Sequence, residues 1–247
     1  MKKPRQGGQR SRKGDRRRPA FSKQVAVLYE DDAVVVLNKP AGLLAVPAPD
    51  SDNPSAQSIL SAELRQKRQR AYVVHRIDRF TSGVLLFAKT EADRDVLVRQ
   101  FLGHTPLRQY LAVVRGHLRE KEGTLVHYFR RDGMFQKLTS PNDFQGTRAE
   151  LRYSVERPLR GASLVRVTLV TGLQNQIRVQ FSAIGHAVVG DRKYHPAEAT
   201  EERISRVALH AARLQFIHPR TGESITVDSE LPADMQSLIK AVRPPFR

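Results

Sequence analysis

The chain has 247 residues, 40% of them hydrophobic, which is enough to bury a core in one large domain or two small ones. It carries 42 Lys and Arg against 25 Asp and Glu, a net charge of +17, so its surface draws polyanions, with nucleic acid first and anionic membrane as the rival. The absence of Cys excludes disulfides, thiolate zinc sites and cysteine nucleophiles; no run approaches the ~20 apolar residues of a membrane span and no signal-peptide core follows the start, so a cytoplasmic protein is expected.

Residues 1–22 read as a disordered basic arm and 23–247 as one folded domain. The first twenty residues hold nine Lys or Arg against the single acid Asp15. Without apolar periodicity the arm cannot bury surface and is expected to order only on a polyanion; RNA contact, solubilisation and organelle targeting are the readings open to it. The rest of the chain keeps 33 basic against 24 acidic residues, so the arm does not account for the whole charge.

Val25–Tyr29 and Ala33–Asn38 predict two strands around the acidic turn Glu30-Asp31-Asp32, a hairpin closed by Lys39-Pro40-Ala41-Gly42. Asn53-Pro54 supplies an N-cap and a first-turn proline for a helix bearing Ile59, Leu60 and Leu64, with a basic outer end over 65–70 that is either a solvated face or an RNA contact. Ala71–Val74 and Val84–Lys89 are predicted strands flanking the polar loop HRIDRFTSG. Thr90 opens a helix through a capping-box-like spacing to Asp93, and Gly103 ends it. Leu107–Val114 and Thr124–Phe129 predict further strands, and 130–148 a loop or variable hairpin. SLVRVTLVTG reads as a strand, NQIRVQFSAIGH as a helix with Gly185 past its end, and RLQFIHPRTGESITVD as two strands joined by a Pro-Arg-Thr-Gly turn. The expected fold class is α+β, a mixed and mainly antiparallel central sheet flanked by helices.

The sharpest local feature is His75-Arg76-Ile77-Asp78-Arg79-Phe80-Thr81-Ser82-Gly83. Arg76 and Arg79 would lower the pKa of Asp78 and keep it ionised, as suits a nucleophile or electrostatic stabiliser; a salt-bridged turn aspartate is the plain alternative. Arg178 falls in the first turn of its helix, where it could pair bidentately with a carboxylate or phosphate or simply form a surface ion pair. Tyr110 sits in a strand as half-buried core or as a site residue. Lys39 belongs to a turn near the pocket or contacts phosphate. His75, His186, His195, His210 and His218 lack ligand spacing and are assigned structural hydrogen bonding; no metal site is expected.

The string HRIDRFTSGVLLFAKT resembles the central motif of RluA-type RNA pseudouridine synthases, and three further segments fall in the order that family has them: 37–47, 171–195 and 209–235. The likeness spans roughly 25–240. It implies the pseudouridine synthase fold and isomerisation of uridine in structured RNA without a cofactor, with ribosomal RNA favoured over transfer RNA because the basic arm suits a large, highly charged substrate. It implies that Asp78 acts on the ribose side of a uridine flipped from its helix, that Arg76 fills the space the base vacates, and that Tyr110 stacks on uracil and assists proton removal. Arg178 would ion-pair with Asp78, and Ile177 would line the pocket. Phe80 stands where many relatives carry aspartate, and Leu173-Gln174-Asn175 where a basic residue and a histidine are common; these departures spare Asp78, Tyr110 and Arg178 and bear on which uridine is chosen. The arm is expected to stand in for the accessory RNA-binding domain of some relatives, the protein to be a monomer, and no obligate protein partner or membrane to be needed. The competing functions are a catalytically silent RNA-binding or ribosome-assembly factor on the same fold and, more remotely, a metal-dependent nuclease.

Overall fold

The computed structural model describes residues 25–49, 52–133, 135–195 and 203–242; the expected basic arm lies outside them. Strands β1 (Ala26–Glu30) and β2 (Val34–Lys39) form the predicted hairpin. Its turn is built by Asp31, whose Oδ1 accepts from the amides of Ala33 and Val34, each at 2.8 Å. Helix α1 (Ala56–Gln66) starts two residues later than Asn53-Pro54 suggested, because Ser55 and Ser58 exchange hydrogen bonds as a capping box. After β3 (Tyr72–Val73) and β4 (Ser82–Ala88), Thr90 caps α2 (Glu91–Leu102) through the Asp93 amide, as the spacing predicts.

Strands β5 (Leu107–Arg115), β6 (Glu122–Asp132), β7 (Phe135–Thr139), β8 (Thr147–Leu159) and β9 (Ala162–Leu169) follow. The interval 130–148 is therefore a hairpin, β6 pairing with β7. Helix α3 (Gln176–Ala183), strands β10 (Leu209–Ile217) and β11 (Ser224–Asp228), and helix α4 (Ala233–Ala241) complete the order. Neither β8 nor α4 was anticipated.

The strands form one sheet in the order β1-β2-β4-β10-β5-β9-β8-β6-β7, with β11 on β10 and β3 on β4. Among the described pairs only β4 and β10 run parallel, so the mainly antiparallel expectation holds. β2 and β4 are covered on both faces, which is why they read as unbroken apolar runs: Val35, Leu37, Leu85 and Phe87 pack under Leu60 and Leu64 of α1, while Val34, Val36, Val84 and Leu86 pack with Leu97 of α2. A larger core joins β5, β8 and β9 to α3 and α4 through Val114, Val165, Val167, Phe181, Met235 and Leu238.

The parallel pair is short, His210 facing Ser82 and Ala211 facing Gly83. It is tied by Ser82 Oγ to His210 Nδ1 at 2.9 Å, and by His210 Nε2 to the Ser229 carbonyl at 3.1 Å. Gly83 has φ of +111°, and a Cβ there would sit 2.1 Å from the Ala211 carbonyl oxygen. Only glycine permits that approach. Gly83→Ala is expected to destabilise the protein by on the order of 3–5 kcal/mol; an unchanged urea midpoint would show that β4 and β10 can separate at no penalty.

Candidate active site

The loop from Val74 to Thr81 leaves β3 and enters β4. Two turns hold it. The Thr81 amide donates to the Asp78 carbonyl at 3.1 Å, and the Arg79 carbonyl accepts from the Gly42 amide at 2.8 Å. Beneath it, Lys39 Nζ donates to the carbonyls of Leu43, Pro40 and Arg79 at 2.8, 3.0 and 3.1 Å.

Lys39 is fully buried, which corrects its expected role as a phosphate contact: its three donors are spent on backbone carbonyls and no surface remains for RNA. It pins the Lys39–Gly42 turn to the Asp78 loop. Burial pushes its ammonium down to about 7; Asp78 opposes the shift and Arg206 and Arg79 add to it.

Asp78 keeps a quarter of its side-chain surface open into a cleft of about 640 Å³ that Arg76, Tyr110, Ile177 and Gln174 also line, a size in the range of small-molecule pockets. The flanking Arg76 and Arg79 predict a depressed carboxyl pKa. It is raised instead: burial outweighs the favourable charges of Arg178, Arg76, Lys193 and Lys39. Arg79 is turned to other partners: its Nε donates to the Gly42 carbonyl at 2.9 Å and its guanidinium lies 5.4 Å over the Phe80 ring.

Arg178 projects from the first turn of α3, but its bidentate partner is Asp191, at 2.7 Å from both Nε and Nη2. Nη1 donates to Asn175 Oδ1 at 2.8 Å and stands 3.9 Å from Asp78 Oδ2. Asn175 has left-handed backbone geometry and caps no helical amide; its side chain serves the arginine. Asp191, 1% exposed in its side chain, also accepts from the amides of Lys193 and Tyr194 at 3.0 and 3.1 Å. Sequence reasoning missed Asp191 and Asn175, although both lie inside a matched segment; an acid amid Arg192 and Lys193 was the available signal. Gln176 fixes the approach to the helix, accepting from Thr171 Oγ1 and the Leu173 amide and donating to the Glu150 carbonyl.

Tyr110, on β5, lines the cleft with Asp78. Its phenol is pushed up to about 12 by burial; Arg108 opposes and Asp78 reinforces the shift, so it is neutral at physiological pH. Ile177 is buried at 4% exposure and joins the main core as well as the cleft wall, and Arg76 lies exposed at its rim. The histidines have structural partners: His75 accepts from the Leu86 amide, stacks on Phe101 at 4.5 Å and is pushed down to about 3 by burial and then Arg108. His186 meets the Arg115 carbonyl and His218 meets Asp31. Among the described residues, no three His, Asp or Glu side chains converge as a metal site needs, and no helix is long and apolar enough to cross a membrane.

Asp78 and Tyr110 thus share one cleft, with the clamped Arg178 guanidinium 3.9 Å from the carboxylate. The family model for RNA pseudouridylate synthase matches residues 33–183, and the chain belongs to that family; it is an RNA pseudouridine synthase, an isomerase. It is 37% identical over 226 residues to ribosomal large subunit pseudouridine synthase D of Zymomonas mobilis, covering 87% of this chain and 71% of that one. It is 36% identical over 223 residues to the uncharacterized RNA pseudouridine synthase YlyB of Bacillus subtilis, covering 88% and 72%. Among solved structures, human RNA pseudouridylate synthase domain containing 1 superposes with a TM-score of 0.71 at 24% identity, covering 93% of this chain and 100% of that one; this likeness establishes the fold.

Two outcomes follow from the site's electrostatics. Asp191→Ala strands Arg178 as a buried cation and is expected to destabilise the protein by about 3–5 kcal/mol in urea unfolding; a loss under about 1 kcal/mol would mean Asn175 and Asp78 suffice to hold it. Because the folded pKa of Lys39 lies below that of an unfolded lysine, the unfolded chain binds more protons above about pH 7, and the stability of the wild type relative to Lys39→Met should rise from pH 7 to pH 9. A constant difference in urea midpoint across that range would contradict it.

Proposed function

We propose that the protein converts uridine in ribosomal RNA to pseudouridine with Asp78 as the reacting carboxylate and without a cofactor. The observation that carries this reading is the Asp78 carboxylate opening into a cleft beside Tyr110 and Ile177 and 3.9 Å from the Arg178 guanidinium. Ribosomal RNA as substrate draws support from the names of relatives in Zymomonas mobilis and Haemophilus influenzae, both ribosomal large subunit pseudouridine synthases.

In this reading the target uridine is everted, since its reacting atoms are hidden within a stacked helix, and Arg76 at the cleft rim occupies the vacated stack. Uracil lies between the ring of Tyr110 and the side chain of Ile177. The N1–C1′ bond breaks, the base turns, C5 bonds to C1′, and C5 gives up its proton while N1 gains one, so atoms balance with nothing consumed. Asp78 acts as an anion at the sugar, either by adding to C1′ or by removing the 2′ proton. Arg178, already satisfied by Asp191, contributes charge without being neutralised by Asp78. Its guanidinium steadies the carboxylate against the burial that raises its pKa. The neutral Tyr110 phenol serves chiefly as a stacking face, and it takes the C5 proton only by handing its own proton on in the same step. Residues 23–247 act as the catalytic unit, monomeric and without obligate protein partners, in the cytoplasm. The 1–22 arm adds RNA affinity through its charge.

A silent RNA-binding role on the same fold is disfavoured because the carboxylate, the stacking ring and the arginine clamp are all present together. Asp78→Asn is expected to lower tritium release from RNA carrying 5-tritiated uridine by at least about 10³-fold while RNA binding persists. In the wild type the acid limb of kcat/KM should lie above the ordinary carboxylate value of 3.8. Full turnover by the variant would remove Asp78 from the chemistry, and carbodiimide-stopped primer extension on RNA from cells with and without the gene would locate the uridine.

A further inference from the structure

Arg108 lies on β5 two residues before Tyr110, so both side chains leave the same face of the strand and both line the cleft. It is 7% exposed. The other arginines buried to this degree hold a carboxylate bidentately, Arg178 with Asp191 and Arg206 with Asp234. Among the described residues Arg108 has no such partner. Of its five N–H donors, Nη2 donates to the Val170 carbonyl at 3.0 Å, while Nε is buried with no partner. The guanidinium carbon stands 5.9 Å over the Phe101 ring. Space beside it is kept by Gly172, where a Cβ would come within 2.4 Å of Nη1.

A cation taken out of water without a counter-charge is destabilising, and a fold that carries one at its active cleft is incomplete without an anion. In a cleft that admits RNA the available anion is a phosphate, whose oxygens match the guanidinium fork in pairs. Residues two apart on a strand are separated by roughly 6.6 Å, the scale on which the base and phosphate of one nucleotide are set apart. We propose that Arg108 takes a backbone phosphate next to the everted uridine and so anchors the nucleotide whose base lies on Tyr110. This rests on the reading of the cleft as the uridine site. A uracil carbonyl is the other acceptor within reach of such a group, but it is neutral and leaves the buried charge unbalanced.

The test compares binding of uridine, uridine 5′-monophosphate and uridine 3′-monophosphate to the full chain by NMR titration. The wild type should bind one monophosphate at least about tenfold more tightly than uridine, and the preferred isomer identifies which phosphate is held. Arg108→Gln should erase that preference and leave uridine affinity unchanged, with Arg108→Lys retaining part of it. Because the charge is unpaired, the melting temperature of Arg108→Gln should be equal to or above that of the wild type. The proposal is overturned by equal or undetectable binding of all three ligands to the wild type, by a parallel loss of uridine affinity in Arg108→Gln, which assigns the arginine to the base, or by a melting temperature several degrees lower, which makes it structural. Asp78→Asn should keep the phosphate preference; a wild type that isomerises no uridine yet retains the preference defeats the isomerase reading and leaves this one standing.

Discussion

The close approach of β4 to β10 at Gly83 is the constraint on which the site depends. Ala211 is paired to Gly83 on one side and to Tyr110 on the other, so a single residue of β10 separates the loop that carries Asp78 from the strand that carries the tyrosine. With a side chain at position 83 the parallel junction would open, and the carboxylate and the phenol would no longer share a cleft. The Ser82–His210–Ser229 hydrogen bonds lock the same junction from inside the sheet. Lys39 and Gly42 lock the loop from the β2 side.

Charge around the cleft leaves the Asp78 carboxylate without a short ion pair. Asp191 takes the two best donors of Arg178 and Asn175 a third, leaving the arginine close to Asp78 without a short hydrogen bond to it. Asp78 is consequently destabilised by burial and steadied only at longer range. A carboxylate in that state is more basic and more nucleophilic than a fully paired one, at a cost in stability that the buried sheet around it offsets. Arg108 repeats the pattern with opposite sign, a buried cation with its Nε unanswered.

One departure from the family pattern, Asn175, is buried and accepts from Arg178 Nη1, while two others lie in more open positions. Phe80 is 47% exposed beside the Asp78 loop, and Gln174 lines the mouth ahead of α3.

What the sequence by itself determined was local: the two-sided burial of β2 and β4 in their apolar runs, the Thr90 cap, the Gly185 stop, and the string around Asp78, each set by residues within a few positions of one another. Two elements were legible but unread, namely β8, through alternation of Ala149, Leu151, Tyr153 and Val155, and α4, through Met235, Leu238, Ile239 and Val242 at helical spacing. Only the tertiary structure decided the rest. The partner of Arg178, the burial of Lys39, the raised pKa of Asp78 and the solitude of Arg108 depend on groups 13 to 62 positions apart in several of these contacts. Desolvation belongs to a folded environment and not to a residue's neighbours in the chain. Flanking arginines therefore suggested a depressed carboxyl, and burial, which no local pattern encodes, reversed the sign.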